Sequence, residues 1–257
     1  MKLNKCAALL CLFLFGLAHA ASAEVLIVAD EFPAMEALAS RLKSEENVDT
    51  KLVWQTNLPP NLAPYQAVLV YIHKDLLPGP EDAFIDYATN GGKLIVLHHS
   101  ISTGKRKNAH WFPFLGVKLP EGDLAQGGYK WIENKDVTWH LVNLATNHFI
   151  MTNKVVYPET IPYFSTTIAT PTNGLPGFTF SGDEVYLNHA LIGAHTILMG
   201  FKYTDKTNGI TYMQDRAGWI KPAGKGWVLY LMPGHWQRDF EDPTYSRIVI
   251  NAVIYKP

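Results

Sequence analysis

The sequence predicts an α/β fold built on a doubly wound, mainly parallel sheet, and three observations lead there. Short, almost purely apolar runs at 24–30, 67–73 and 93–97 read as parallel strands buried on both faces. Segments with helical apolar spacing lie between them, as right-handed βαβ crossovers require. Each run also ends in a polar residue (Asp30, His73, His98), at the strand tips where open α/β sheets gather ligand-binding groups.

The elements follow in order. Glu24–Asp30 is the first strand. Pro33 to Glu46 carries Met35, Leu38, Ala39 and Leu42 on one helical face, with Pro33 placed to open the helix. Val48 to Trp54 reads as a second strand, and a loop with Pro59, Pro60 and Pro64 leads to the third at 67–73. Pro80 to Asn90 is a helix closed by Gly91-Gly92, and Lys93–Leu97 is the fourth strand, ending in His98-His99-Ser100. From about 105 to 215 aromatic-rich, glycine-punctuated segments read as an irregular β-rich insertion that walls the crevice. Regularity returns at 217–232, where two strands flank a Pro-Ala-Gly-Lys-Gly turn, a hairpin pattern. Pro243 to Tyr255 is a final helix, with Tyr245, Ile248, Val249, Ala252 and Val253 facing the sheet.

The first 23 residues read differently. Lys2 and Lys5 precede an apolar run from Cys6 to Ala18, and Ala18-His19-Ala20 and Ala21-Ser22-Ala23 resemble signal-peptidase sites. The run is too short to span a bilayer core of about 30 Å. The expectation is a removed signal peptide at 1–23, one domain at 24–257, and a periplasmic or secreted product. Both cysteines, Cys6 and Cys11, belong to the leader, so the mature chain has none. With Lys2 and Lys5 removed, 20 basic residues face 23 acidic ones, without a basic stripe. That argues against nucleic acid as a partner. No later segment is apolar enough to cross a membrane. The oligomeric state is not legible.

Three motifs carry candidate chemistry. Gly91–Ser100 (GGKLIVLHHS) places His98 and His99 at the end of a buried strand; side chains alternate along a strand, so at least one should face the crevice. Ser181–Tyr186 (SGDEVY) sets Asp183 and Glu184 after a glycine turn, as a base, a metal ligand or an N-cap. Met232–Trp236 (MPGHW) ends another buried strand in His235 and Trp236, and an indole face suits a pyranose ring. His110-Trp111 repeats the pairing after the fourth strand. Histidine supplies acid–base function near neutral pH and ligates metals, although no spacing here is a metal signature. His140, His148, His189 and His195 read as structural or surface histidines.

Taken together, GG-strand-His98-His99, His110–Gly116 (HWFPFLG), Asn147–Thr152 (NHFIMT), Phe178–Tyr186, Gly224-Lys-Gly226, Gly234-His235 and the final helix resemble the ThuA-like (trehalose-utilization) family over essentially the whole mature chain. His148-Phe149 departs from the His-Pro more common in the family, and the 118–128 loop is unusual. The resemblance implies a flavodoxin-like, class I glutamine amidotransferase-like fold. In amidotransferases a cysteine occupies the turn where His98 stands, so thiolate chemistry and glutamine hydrolysis are excluded here. It further implies a carbohydrate ligand, and proton abstraction beside a sugar carbonyl leading to isomerisation, elimination or hydrolysis. The expected catalytic set is His98, His99, Glu184 and His235, with His110, Trp111, Asp183, Tyr186 and Trp236 binding substrate. No cofactor is assigned beyond a divalent metal ion, which, if bound, would use His98, His110, Glu184 and His235. Two other readings stay open: a metal-dependent hydrolase using the same groups, and a non-catalytic sugar-binding protein.

Overall fold

A computed structural model describes residues 24–133 and 135–256; the leader at 1–23, with its cleavage sites, lies outside the described residues. The first part contains β1 (Val25–Ala29), α1 (Phe32–Glu46), β2 (Thr50–Val53), β3 (Ala67–Tyr71), α2 (Pro78–Thr89) and β4 (Lys93–Leu97). The middle holds α3 (Trp111–Leu115), β5 (Val117–Lys118), β6 (Lys130–Glu133), β7 (Thr138–Asn143) and α4 (Phe149–Thr152). It continues with β8 (Glu159–Ile161), β9 (Leu175–Ser181), β10 (Glu184–Leu187), β11 (Ala190–Leu191) and β12 (Thr196–Thr204). The chain closes with β13 (Thr211–Ala223), β14 (Gly226–Leu231), α5 (Gln237–Glu241) and α6 (Pro243–Ile254).

Ten strands form one sheet in the order β2-β1-β3-β4-β14-β13-β12-β7-β9-β8. The first five run parallel to their neighbours. Counted along the chain, their order is the 2-1-3-4-5 of flavodoxin-like domains. The expected α/β class is therefore present. Every residue of β1 and β3, all of β4 beyond Lys93 and all of β14 beyond Gly226 are buried. Continuous burial explains why these strands read as unbroken apolar runs.

Helices cover both faces. Pro33 lies in the first turn of α1, which ends at Asn47 in the left-handed region and buries Ala34, Met35, Leu38 and Leu42. The side chain of Asp242 caps α6 by accepting the backbone N–H groups of Thr244 and Tyr245. Tyr245, Ile248, Val249, Ala252 and Val253 of α6 are fully buried, as their spacing predicts.

The middle segment is β-rich as expected but more regular than its composition implies. Beyond β14 the sheet continues with antiparallel partners, β13 on β12, β12 on β7, β7 on β9 and β9 on β8. Separately, β10 pairs with β6 in register Glu184↔Glu133 and Tyr186↔Trp131, bringing a short ribbon to the sheet's edge. No helix among the described residues is long and apolar enough to cross a membrane.

Candidate active site at the carboxyl edge of the sheet

The tips of the parallel strands converge. β1 ends in Asp30, β3 leads to His73, β4 to His98 and β14 to His235. Asp30 accepts the backbone N–H groups of His73 and Lys74 at 2.8 and 2.7 Å, tying two tips together. After Leu97 the chain turns through His98 at φ +44, a left-handed conformation a non-glycine residue adopts only when its surroundings enforce it. It then enters a short 3-10 turn, His98–Ile101. That turn lets both neighbouring imidazoles point the same way, which a continuing strand would forbid.

Three imidazoles meet one carboxylate oxygen. Glu184 Oε2 lies 3.0 Å from His98 Nε2, 3.2 Å from His99 Nε2 and 3.1 Å from His235 Nδ1. His98 Nε2 and His235 Nδ1 are 3.0 Å apart, and the Tyr186 hydroxyl donates to the same oxygen at 3.1 Å. His98, Glu184 and His235 are buried, and His99 is partly exposed. His98 Nδ1 donates to the Met232 carbonyl at 2.6 Å. Two tyrosines hold the backbone of these turns: Tyr230 donates to the His98 carbonyl and Tyr71 to the His235 carbonyl.

The electrostatics follow from crowding. Burial works against the charged form of Glu184, but its close side-chain contacts with His235 and His98 outweigh it and hold its carboxyl at about 2. His98 is lowered, because full desolvation exceeds the gain from Glu184. His99 is lowered strongly by burial and by the neighbouring imidazoles. Burial also pushes His235 down, yet its bond to Glu184 and the charges around it leave it raised. Behind the cluster lies a second carboxyl pair. Burial and then the Asp239 charge raise Asp183 to about 7, and burial raises Asp239.

The expected residues separate into two groups. His98, His99, Glu184 and His235 come together, with Tyr186 against Glu184, and their donor atoms all lie within 4.8 Å of one another. Trp236 is 42% exposed beside them, its Nε1 donating to the Gly182 carbonyl and Arg238 standing 5.7 Å over its ring. Others do not join. Trp111 is fully buried, donating to the Ser100 carbonyl and packing on Phe84, so its indole has no face for a sugar. His110 is outside the cluster and cannot serve as its fourth ligand; its backbone N–H is bound by Glu81 at 2.9 Å, beside Asp75, Leu76 and Asn108. Asp183 is 1% exposed and accepts the Trp139 indole N–H, so it faces inward and not toward a ligand.

The structure adds residues the sequence did not single out. Glu133 Oε1 stands 3.8 Å from His235 Nε2 and borders a cleft shared with Thr103, Arg106, Tyr129 and Trp131. Trp131 is 48% exposed. Its pairing with Tyr186 on the distant β10 brings it here, and no local pattern announces it. His73, noted as a strand end, packs on His99 with ring centres 4.1 Å apart. The remaining described histidines lie elsewhere in structural roles: His140 hydrogen-bonds Thr179 across β7 and β9, His148 caps α4, His189 is buried against the Arg216 carbonyl, and His195 packs on Trp219.

A flavodoxin-ordered α/β domain with a thiol-free imidazole–carboxylate cluster at its strand tips is the class of protein this geometry defines. The chain belongs to the ThuA family, described as trehalose utilisation, which matches residues 24–256 and points to a carbohydrate-related role. No curated protein matches it in sequence. Among solved structures it is similar to a ThuA-like protein from Bacteroides uniformis, at 16% identity and TM-score 0.59, over 95% of this chain and 96% of that one. The cytoplasmic protein STM1381 from Salmonella typhimurium LT2 is similar at 16% identity and TM-score 0.56, over 90% and 98%. A cold-adapted β-galactosidase from Rahnella sp. R3 shares the fold at 13% identity and TM-score 0.54, over 90% of this chain but 31% of its own. At these identities the likeness concerns fold alone.

Proposed function

We propose that this chain is an enzyme of carbohydrate metabolism that reacts a glycoside or keto-sugar derivative over the His98–His99–Glu184–His235 cluster. The reaction class is proton transfer beside a sugar carbonyl, leading to isomerisation, elimination or hydrolysis. One observation carries the reading: three imidazoles converge on a single carboxylate oxygen at the strand tips. Groups so close together can shift a proton and hold charge on a neighbouring oxygen with little bulk water present. The family's link to trehalose use supports a sugar as substrate, and Trp236 and Trp131 offer exposed indole surface for a ring. A purely binding protein has little reason to keep a fully buried imidazole and a left-handed backbone at His98, since both oppose folding.

The test is solvent-proton exchange and turnover on trehalose, simple glucosides and their keto forms, followed by NMR in deuterated water. Exchange or conversion should occur with one of these sugars and fall at least about 100-fold in Glu184→Gln, an effect typical for removal of a proton-transfer group. Trp236→Ala should raise KM with little change in kcat. Sugar binding that survives in Glu184→Gln, with no exchange by the parent protein, would leave recognition alone as the function.

A further inference from the structure

We infer that His98, His99, Glu184 and His235 form the ligand shell of one divalent first-row transition-metal ion. The inference deepens the functional reading, since it concerns the same site, but it does not depend on the substrate being a sugar.

Donor spacing is the first argument. Nitrogen and oxygen ligands about 2.0–2.1 Å from a common ion stand roughly 3.0–3.4 Å apart when adjacent. The separations of 3.0, 3.2 and 3.1 Å from Glu184 Oε2, and 3.0 Å between His98 Nε2 and His235 Nδ1, lie in or at the edge of that range. The other pairs stay within 4.8 Å, against about 4.2 Å across such an ion, so binding requires the outer imidazoles to close in by roughly half an ångström.

Proton positions are the second. A carbonyl only accepts, so the 2.6 Å contact with Met232 places a proton on His98 Nδ1. In the neutral ring, Nε2 then carries a lone pair, and that lone pair faces a carboxylate oxygen and another ring nitrogen, both at 3.0 Å. Electron pairs crowded this way repel unless a cation lies among them. Among the described residues no lysine or arginine forms an ion pair with Glu184; its ion-pair partners are the three histidines.

The surroundings are the third. Metal-bound histidines usually donate their far N–H to a carbonyl or carboxylate, which fixes ring and tautomer. His98 does so through Met232, Tyr186 does the equivalent for Glu184, and the tyrosine clamps on the His98 and His235 carbonyls fix the turns. Three imidazoles and one carboxylate suit zinc, manganese, iron, cobalt or nickel, and not calcium or magnesium, which take oxygen shells. Four protein ligands on a five- or six-coordinate ion leave room for a substrate oxygen.

The experiment is elemental analysis of full-length protein purified without chelator. Chelation and titration with Zn2+, Mn2+ and Co2+ follow, read by thermal shift and, for cobalt, by visible absorption. About one equivalent of a transition metal is expected, or recovery to one equivalent on titration with a rise in Tm of several degrees. Glu184→Gln and His99→Ala, checked for folding by circular dichroism, should each lower affinity at least 10-fold, while Trp236→Ala retains the ion. Less than about 0.1 equivalent, with no thermal shift on adding any of the three ions, overturns the inference and leaves the cluster as a metal-free proton-transfer centre. Full sugar turnover by chelated protein overturns it while upholding the proposed function. Stoichiometric metal with no sugar turnover upholds it and counts against that function.

Discussion

Gly234→Ala should damage stability and site together, because this glycine sits where β14 hands His235 to the cluster. Its φ is +105, a region that side-chain-bearing residues enter at a cost of about 1–3 kcal/mol. An added Cβ would stand 2.7 Å from Phe240 Cζ, 2.9 Å from the Tyr245 hydroxyl and 3.1 Å from Tyr245 Cε1. Both rings are fully buried, and the Tyr245 hydroxyl is engaged by the Pro233 carbonyl, so neither can move freely. Overpacking of this kind costs about 1–3 kcal/mol. The sum, about 2–6 kcal/mol, corresponds to a Tm fall of roughly 4–24 °C for a domain of this size. A shift of about 1 Å in His235 would break its 3.1 Å contact with Glu184 and cost about 100-fold in any reaction that needs it. Scanning calorimetry beside Gly122→Ala isolates the packing share, since Gly122 has φ +102 with open space around it. A Gly234→Ala protein that melts no lower than Gly122→Ala would refute the packing argument.

Further outcomes follow from other parts of the molecule. Asp215 accepts six hydrogen bonds from Tyr163, Ser165, Thr166 and Thr167, pinning the loop before β9. Burial would raise its carboxyl, but the bonds from Ser165, Tyr163, Thr167 and Thr166 leave it lowered. A lowered carboxyl stabilises above its ordinary value of 3.8 and loses that contribution as pH falls through the folded value. Asp215→Asn should therefore melt lower by a few degrees at pH 7, with the gap closing below about pH 4; a gap unchanged at pH 3 contradicts this. Trp111→Ala should cost about 3–5 kcal/mol as a core truncation, and milder Trp111→Phe should leave sugar affinity intact in calorimetric titration; weakened binding by the phenylalanine variant would restore the ring-stacking role. If the leader reading holds, intact-mass analysis of chain recovered from a bacterial periplasm should show loss of about 23 residues, whereas full-length protein retained in the cytoplasm would overturn it.

The parallel half was readable because strands buried on both faces leave unbroken apolar runs, and their polar ends mark the crevice. Glu184 and His235 were reachable because each stands one or two residues after a glycine at a strand boundary, Gly182 and Gly234. Asp183 was misassigned although the two-residue period argues against it, since only one of two neighbours entering β10 can face the cluster. His98 and His99 evade that same rule, because the left-handed residue ends the strand between them. Trp111 and His110 look like Trp236 and His235 in sequence. What separates them is which side of the sheet a loop returns to, a property set by distant packing against Phe84 and Glu81. Glu133 and Trp131 reach the site only through pairing of β6 with β10, about fifty residues away, and nothing local encodes it.

The cluster also depends on contacts of long sequence separation, which should place its assembly late in folding. Its imidazoles hang from the parallel half, whereas Glu184 arrives on a ribbon encoded between β4 and β14 and closed by contacts of long sequence separation. Such contacts form slowly, since chain closure must come before they contribute. A partly synthesised or partly folded chain therefore holds scattered histidines with ordinary behaviour. The cluster is complete only when β14 lies between β4 and β13 and β10 is in place, so no fragment lacking either should contain it.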